Sequence, residues 1–311
     1  MSAALGVSEP DLKRLGRIAD RVLAGSPLIS HGQRPRLARA GRGLEFLEHR
    51  PYREGDDLRD IDWRATARSR HPLVRNHRDE AFSTAFLCLD RSASMGTPTG
   101  ASWRLARQLA AALGYLVLHG GNRVGLLAFS GDIDLALAPS RGASAYGSLV
   151  SGLASLEPRL SGGASRLERC ARRLPPGACA IVISDFLDPQ FMRIGLDRLR
   201  RRGGRVQGLQ VLDPALRLPG RSHSGTPPSR ETAWGVGAET ILWDAESGER
   251  RTLHLSAEAR DEAIANLDDL CGALRQHCLR RSIALTACPG DAAWQDVILE
   301  HLRSLSRRLS A

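Results

Sequence analysis

The sequence predicts an α/β protein with a doubly wound, mostly parallel sheet that has helices on both faces and is preceded by a small N-terminal segment. Short, uninterrupted apolar runs alternate with longer stretches that carry apolar residues at helical spacing. Such runs are buried on both sides, as strands of a parallel sheet are. The 311 residues, 42% hydrophobic and 25% charged, are enough for one large domain or two modest ones.

The N-terminal part is predicted to hold one helix and a compact segment. Residues 9–25 have apolar side chains at helical spacing, and Ser26 and Pro27 follow as helix-ending residues. Residues 28–42 are polar and basic, which is typical of a loop or a loosely held arm. We therefore divide the chain into an N-terminal helix with a basic linker (1–40), a compact segment (41–82) and a main domain (83–311).

The main domain is predicted to alternate strands with helices. Strands are predicted at 84–89, 123–129, 133–138, 179–184, 205–212 and 282–287. Helices are predicted at 103–118, 145–156, 165–174, 189–202, 257–279 and 291–309. Residues 213–257 interrupt this alternation with a loop rich in proline and then a hairpin, so we interpret them as an insertion.

The positive charge comes almost entirely from arginine, because Lys13 is the only lysine in a chain of net charge +10. Such a charge indicates either a surface for nucleic acid or acidic partners, or a coding bias towards arginine. No basic cluster is interleaved with aromatic residues, as single-strand binding requires. The composition therefore favours the coding bias over nucleic acid, and a basic face towards an acidic protein stays open.

The cysteines and the N-terminus indicate a reducing compartment. None of the six cysteines forms a C-x-x-C pair or a zinc-site spacing. No apolar run approaches the roughly 20 residues of a membrane span. The N-terminal residues do not have the charged and then apolar order of a signal peptide. We expect structural thiols and a cytoplasmic protein without a membrane span.

A candidate metal loop follows the first strand of the main domain. The apolar run ends at Asp90, and Ser92 and Ser94 follow at alternate positions. Asp185 ends a second apolar run, and Ser165 precedes a predicted helix. The carboxyl ends of parallel strands share one edge of a sheet, where ligands bind. Two carboxylates and three hydroxyls at one edge would suit Mg²⁺, with Mn²⁺ or Ca²⁺ as alternatives.

Each of these residues also has a purely structural interpretation. Asp90, Ser92 and Ser94 can form a turn with local side-chain to backbone hydrogen bonds. Asp185 can cap a neighbouring segment, and Ser165 can be the N-cap of the helix that follows it. Because an aspartate ends each of two separate strands, the sequence favours a metal site over a structural turn for Asp90.

Three motifs resemble a von Willebrand factor A-type domain with its metal-ion-dependent adhesion site (MIDAS). They are Asp90-x-Ser92-x-Ser94, the strand 125–130, and Ser184-Asp185. The resemblance implies that Ser92 and Ser94 ligate the metal directly, and that Asp90 and Asp185 ligate it directly or through water. It also implies a hydroxyl from a second loop, a position that falls on either Ser165 or Ala164.

The upstream segment resembles the family called domain of unknown function 58. The resemblance rests on residues 41–46, 50–52, 55–63 and 67–68, and it runs from about Gly41 to the C-terminus. Members place this segment just before a von Willebrand A-like domain. They are typically encoded beside MoxR-type AAA+ ATPases, and the pair is thought to act in the assembly of other proteins or in metal insertion. The resemblance thus implies a MoxR-type partner and an unknown client protein.

The charged stretch within that segment has two interpretations. It is either a partner-recognition loop or a structural turn in which arginines pair with aspartates, and the mixed charge favours the turn. We expect the tryptophan to be a core anchor. The residues concerned are Asp56, Asp57, Arg59, Asp62, Trp63 and Arg68.

The sequence favours a binding module that is not an enzyme. It contains no phosphate-binding loop of P-loop ATPases and no nucleophile elbow. We expect a Mg²⁺ site that binds an acidic residue of a partner. The alternatives are a metal-dependent hydrolase or phosphotransferase that uses Asp90 and Asp185, and a basic nucleic-acid-binding scaffold.

Overall fold

The computed structural model describes residues 5–23, 45–52, 61–69, 71–78, 83–159, 165–202, 204–216, 239–243, 249–254 and 256–309. The chain separates into two compact units, one formed by Met1–Gly32 with Ser83–Ala311 and the other by Gln33–Phe82. The elements in chain order are α1 (Glu9–Val22), β1 (Glu45–Pro51), α2 (Trp63–Thr66), β2 (Leu73–Arg78), β3 (Thr84–Asp90), α3 (Ala93–Gly96), α4 (Ala101–His119), β4 (Arg123–Phe129), β5 (Ile133–Ser140), α5 (Ala143–Ala154), α6 (Leu167–Arg173), β6 (Cys179–Ser184), α7 (Pro189–Arg201), β7 (Val206–Leu212), β8 (Glu239–Trp243), β9 (Arg250–His254), α8 (Ala257–Arg280), β10 (Ala284–Pro289) and α9 (Trp294–Leu309).

The larger unit contains a six-stranded sheet in the order β10-β7-β6-β3-β4-β5. Every pairing is parallel except that of β4 with β5, which are joined by a short turn and run antiparallel. β3 lies at the centre of the sheet because the chain adds β4 and β5 on one side of it and β6, β7 and β10 on the other. The predicted doubly wound α/β fold with a mostly parallel sheet is confirmed.

Helices cover both faces of this sheet. Alternate side chains of β3 enter opposite cores, with Leu87 and Leu89 on one side and Phe86 and Cys88 on the other. The first core also receives apolar residues from α1, α4, α5 and α9, and the second receives them from α6, α7 and α8. β3 is therefore apolar throughout because both of its faces are buried, and its first polar side chain after Thr84 is Asp90 at its end.

The N-terminal helix belongs to the larger unit. Leu12, Leu15 and Ala19 of α1 are buried in the same core as α4 and α9. Ser8 caps the helix, since its hydroxyl accepts a hydrogen bond from the backbone N–H of Asp11. The sequence-based division placed residues 1–40 in a segment of their own, whereas the structure groups Met1–Gly32 with the main domain. The reason is the apolar face of α1, which needs a core to cover it.

The predicted insertion contains the expected hairpin. β8 and β9 pair antiparallel as a two-stranded sheet, with Glu239 opposite His254 and Trp243 opposite Arg250. α8 begins directly after it, with Ser256 as its N-cap. The proline-rich stretch 217–238 lies outside the described residues.

The smaller unit contradicts the prediction that Trp63 is a core anchor. Its β1 and β2 pair antiparallel, and Ile61 forms an isolated antiparallel bridge to Val74 of β2. Both Ile61 and Val74 are buried. Trp63, expected to be a core anchor, is instead 67% exposed. It occupies the first position of the one-turn helix α2, and the described apolar core of this unit is formed by Ile61 and Val74. The prediction that Trp63 is a core anchor is therefore wrong.

All six cysteines lie in the described part of the chain, are buried and form no disulfide, as expected for structural thiols. Among the described residues, no helix is both long and apolar enough to cross a membrane.

Candidate metal centre

The candidate site lies where the direction of strand addition reverses. β3 has β4 on one side and β6 on the other, and both are parallel to it. Asp90 ends β3 and Ser184 ends β6, so both lie at the carboxyl edge of the sheet. In open α/β sheets this switch point is where ligands bind. The sequence-based expectation that Asp90 and Asp185 share one edge agrees with this topology.

The Asp90 carboxylate is completely buried and accepts hydrogen bonds on both oxygens. Oδ1 accepts from the backbone N–H of Ser92 at 3.0 Å and from the Ser165 hydroxyl at 2.8 Å. Oδ2 accepts from the Ser184 hydroxyl at 2.7 Å. We call these four residues, Asp90, Ser92, Ser165 and Ser184, the Asp90 cluster. Three separate segments of the chain thus converge on one carboxylate.

The Asp90 cluster holds an acid without a positive partner. Within the described part of the chain, no arginine, lysine or histidine forms an ion pair with Asp90. Burial raises the pKa of the Asp90 carboxyl, and the hydrogen bonds from Ser184, Ser92 and Ser165 oppose that shift. A buried carboxylate of this kind is stabilised in its charged form when a cation lies next to it.

Ser92 and Ser94 place two hydroxyls side by side next to this acid. Their Oγ atoms are 3.0 Å apart. Neighbouring corners of a Mg²⁺ octahedron with metal–oxygen distances of about 2.1 Å are separated by roughly 3.0 Å. The spacing therefore fits two adjacent ligands of one Mg²⁺. Oxygen donors with few charges are also the ligand type that this ion prefers.

Ser165 does not cap α6. The N-cap of that helix is Arg166, which makes no side-chain capping bond, and α6 begins at Leu167, two residues after the predicted start. The Ser165 hydroxyl instead donates to Asp90, and the residue is 5% exposed. The alternative ligand position, Ala164, lies outside the described residues.

Asp185 lies beside the cluster in a tight turn. It is buried, and its Oδ1 accepts from the backbone N–H of Leu187 at 3.2 Å. Phe186 follows with φ of 55°, in the left-handed region that a bulky side chain rarely adopts. Two side chains hold this turn: the Ser184 hydroxyl accepts from the Phe186 N–H, and Gln210 donates to the Asp185 carbonyl at 3.2 Å. A strained conformation persists only where the surroundings fix it in this way.

Ser184 and Gln210 are the contributors that the sequence analysis did not identify. Leu89 pairs with Ile183 in the parallel register, so Ser184 is the next residue opposite Asp90. The pairing of β3 with β6 could have indicated Ser184, because these two strands end at the same level of the sheet. Gln210 gives no comparable signal, since its partner is a backbone carbonyl on the neighbouring strand's loop.

The sequence matches the family described as "Protein of unknown function DUF58" over residues 48–223, which is more than half of the chain. The chain belongs to the DUF58 family. The matched range includes the end of β3, the Ser165 segment and the Asp185 turn. All five candidate ligands of this DUF58 protein therefore lie within it.

Two mycobacterial proteins are similar to this DUF58 protein along most of their length. "Uncharacterized protein Mb1516" from Mycobacterium bovis is 32% identical over 252 residues, which cover 76% of this chain and 72% of the relative. "Uncharacterized protein Rv1480" from Mycobacterium tuberculosis gives the same 32% identity and the same coverage of 76% and 72%. Neither name assigns an activity.

Two solved structures are similar to the DUF58 protein at low identity. The conserved hypothetical protein BatB from Bacteroides thetaiotaomicron is 18% identical, with a TM-score of 0.41 and coverage of 74% of this chain and 100% of that one. The pilus adhesin SpaC from Lactobacillus rhamnosus GG is 13% identical, with a TM-score of 0.32 and coverage of 74% and 31%. At these TM-scores, neither similarity supports an argument about function.

The charged stretch that precedes the main domain lies only partly within the described residues. Asp56, Asp57 and Arg59 lie outside them. Asp62 caps α2 through the N–H groups of residues 64 and 65, and its other oxygen is 3.0 Å from His49 Nε2. Arg68 is exposed, and within the described residues no ion pair joins it to Asp62. The pairing of Arg59 and Arg68 with Asp56, Asp57 or Asp62 stays a prediction, because most of these residues lie outside the described part of the chain.

Proposed function

We propose that this DUF58 protein is a non-catalytic binding module with a MIDAS-type Mg²⁺ site in a von Willebrand A-like domain. Asp90, Ser92, Ser94, Ser165 and Asp185 would hold the ion. Mg²⁺ held by few direct negative charges stays electrophilic and can take a carboxylate from a partner as a further ligand. The module would thus recognise an acidic side chain on another protein.

The observation that carries this proposal is the complete burial of the Asp90 carboxylate beside converging hydroxyls. An acid that is fully buried among hydroxyls and a backbone N–H, with no positive partner among the described residues, is costly as an anion. A cation beside Ser92 and Ser94 would supply the missing charge. The 3.0 Å separation of their Oγ atoms supports adjacent ligation.

The donor set also supports binding over catalysis. Hydrolytic two-metal sites hold their ions with several carboxylates. Among the described residues, no group of three or more histidine, cysteine, aspartate or glutamate side chains is arranged to hold a metal. Serine hydroxyls and two aspartates would neutralise only part of the charge of one bound metal ion. Such an ion can accept the carboxylate of another protein as a further ligand.

The partner we propose is a MoxR-type AAA+ ATPase, acting with this module in the assembly or maturation of a client protein. Family membership supports this partner through the gene neighbourhood that is typical of the family. The location we propose for the module is the cytoplasm, where such an ATPase has access to ATP.

A pull-down tests the metal bridge. A MoxR-type ATPase from the same organism is offered to the immobilised module in Mg²⁺, in EDTA, and with the Asp90→Ala variant. We expect binding in Mg²⁺ and loss of binding in the other two conditions. Equal binding in all three would rule out a metal-bridged contact.

An enzyme assay addresses the alternative function. Phosphatase and nuclease substrates are offered with Mg²⁺ or Mn²⁺ to wild type and to Asp185→Ala. We expect no turnover by either protein. A turnover that Asp185→Ala abolishes would replace the binding module with a metal-dependent hydrolase.

A further inference from the structure

Two arginines share one mostly covered carboxylate next to the candidate metal loop. Arg159 Nη1 is 2.5 Å from Asp134 Oδ1, and Arg91 Nη1 is 3.8 Å from Asp134 Oδ2. The Ser130 hydroxyl also donates to Asp134 Oδ2, at 2.9 Å. Among the described residues, two positive charges on one negative charge leave one positive charge without an ion-pair partner. We call Arg91, Asp134 and Arg159 the arginine triad.

The triad is attached directly to the Asp90 loop. Arg91 lies in sequence between Asp90 and Ser92, and its carbonyl accepts the backbone N–H of Arg159 at 2.8 Å. Arg91 Nε donates to the carbonyl of Glu157 at 2.9 Å, so the segment 157–159 lies across the loop. The excess positive charge is therefore next to the residues that would ligate the metal.

Arg159 faces solvent, whereas the side chains of Arg91 and Asp134 are mostly covered. The side chain of Arg159 is 48% exposed, whereas that of Asp134 is only 12% exposed. A guanidinium has five N–H donors in a planar fork, and the described ion pair to Asp134 involves only its Nη1. The remaining edge can bind a second carboxylate in a bidentate manner.

Nearby acids do not neutralise this charge in the same way. Glu157 has an exposed carboxylate, but it lies 4.0 Å from Arg107 Nη1 and forms an ion pair of its own. Asp132 is 66% exposed and pairs with Arg169 at 2.6 Å, so that pair presents both signs to solvent. The triad is different because its carboxylate is mostly covered while Arg159 is exposed.

We propose that the arginine triad is a second acid-binding subsite, so that the partner segment carries a cluster of acidic residues and not a single one. One acid would ligate the metal, and a neighbouring acid would bind Arg159. This inference rests on the proposed function for its first acid, while the second depends only on the triad.

Synthetic peptides test the subsite. One glycine–serine peptide carries a single glutamate and the other carries a run of glutamates, and their affinities are measured in Mg²⁺ and in EDTA. We expect the run to bind wild type about tenfold more tightly than the single glutamate in Mg²⁺, the size of one hydrogen bond to a charged group. We expect Arg159→Gln to abolish that difference and Arg159→Lys to restore part of it.

Arg303→Gln is the matched control. It removes the same charge from an exposed position on α9, a helix of the larger unit. The tenfold preference should survive in this variant. A preference that is absent in wild type, or that persists in Arg159→Gln, would overturn the second subsite.

The EDTA arm separates this inference from the proposed function. Binding of the single-glutamate peptide that is insensitive to EDTA contradicts the metal bridge. An effect of Arg159→Gln on the glutamate run that persists in EDTA still supports the triad as an acid-binding subsite.

Discussion

Two buried polar clusters lie at the same sheet, and they differ in whether the described residues around them satisfy their charge and hydrogen-bonding needs. The His301 cluster consists of His301, Thr286 and Gln207, with His301 Nδ1 2.8 Å from the Thr286 hydroxyl and Nε2 2.9 Å from Gln207 Oε1. Both ring nitrogens of a fully buried imidazole are thereby satisfied in the neutral form. Burial lowers the pKa of His301 to about 4, so the ring stays neutral at ordinary pH.

The Asp90 cluster is equally buried but holds an acid that no described cation neutralises. The hydrogen bonds of the His301 cluster are satisfied within the chain, whereas the proposed function adds a cation to the Asp90 cluster. The comparison teaches that burial of a polar group does not by itself indicate a binding site. Missing charge, together with converging oxygen donors at a sheet edge, is the informative feature.

The largest expected effect is the loss of metal binding when the charge is removed from the Asp90 cluster. Asp90→Asn keeps the shape of the side chain, so the variant should fold in EDTA as wild type does. Its Mg²⁺ affinity should fall about 1000-fold, or roughly 4 kcal/mol, the range for removing one partner from a buried charge pair. Calorimetric titration with Mg²⁺ measures the affinity, and a change below tenfold would contradict the role of Asp90.

The next effect concerns the His301 cluster and is a pH dependence of stability. The folded-state pKa of His301, about 4, lies below the ordinary value of 6.5, so its contribution is present above pH 6.5 and is lost as the pH falls towards 4. We expect wild type to lose about 3 kcal/mol of unfolding free energy relative to His301→Gln across this window. Denaturant unfolding of both proteins at several pH values measures the difference. Parallel pH profiles would contradict a neutral, closed cluster.

A smaller effect distinguishes two glutamines of β7, one near the Asp90 cluster and the other in the His301 cluster. Gln210 holds the Asp185 carbonyl, whereas Gln207 bonds His301. Gln210→Leu should lower Mg²⁺ affinity about tenfold, as the loss of an outer-shell contact does. Gln207→Leu should lower the unfolding free energy and leave Mg²⁺ affinity unchanged. Equal effects of the two variants on Mg²⁺ affinity would remove the distinction between the regions.

The smallest expected effect comes from a buried hydroxyl outside both clusters. Ser102 is 1% exposed, and its Oγ has no hydrogen-bond partner among the described residues. Ser102→Ala should raise the unfolding free energy by about 1 kcal/mol because it removes an unsatisfied polar atom. Chemical denaturation measures the gain, and Mg²⁺ affinity serves as the control that should not change. A loss of stability would indicate a partner for this hydroxyl.

The sheet could be predicted because its information is local. β3 and β6 are apolar from end to end, since both faces are covered, and this pattern is visible in any short window of sequence. The same pattern locates Asp90 and Asp185 at strand ends. That is why both aspartates could be selected without a structure.

The partners inside each cluster could not be predicted in the same way. His301, Thr286 and Gln207 come from α9, β10 and β7, and only the packing of α9 on the sheet brings them together. The alternative N-cap role of Ser165 could be rejected only once α6 was seen to begin at Leu167. Trp63 was placed in a core because large aromatic residues usually lie there, and the small apolar core of its unit does not cover it.

The most direct test of the central claim is a crystal structure of the protein with Mn²⁺ in place of Mg²⁺, located by anomalous scattering. We expect a single strong anomalous peak beside Asp90, at about 2.2 Å from the Oγ atoms of Ser92 and Ser94. A fully occupied peak elsewhere, or no peak at this edge of the sheet at saturating Mn²⁺, would contradict it.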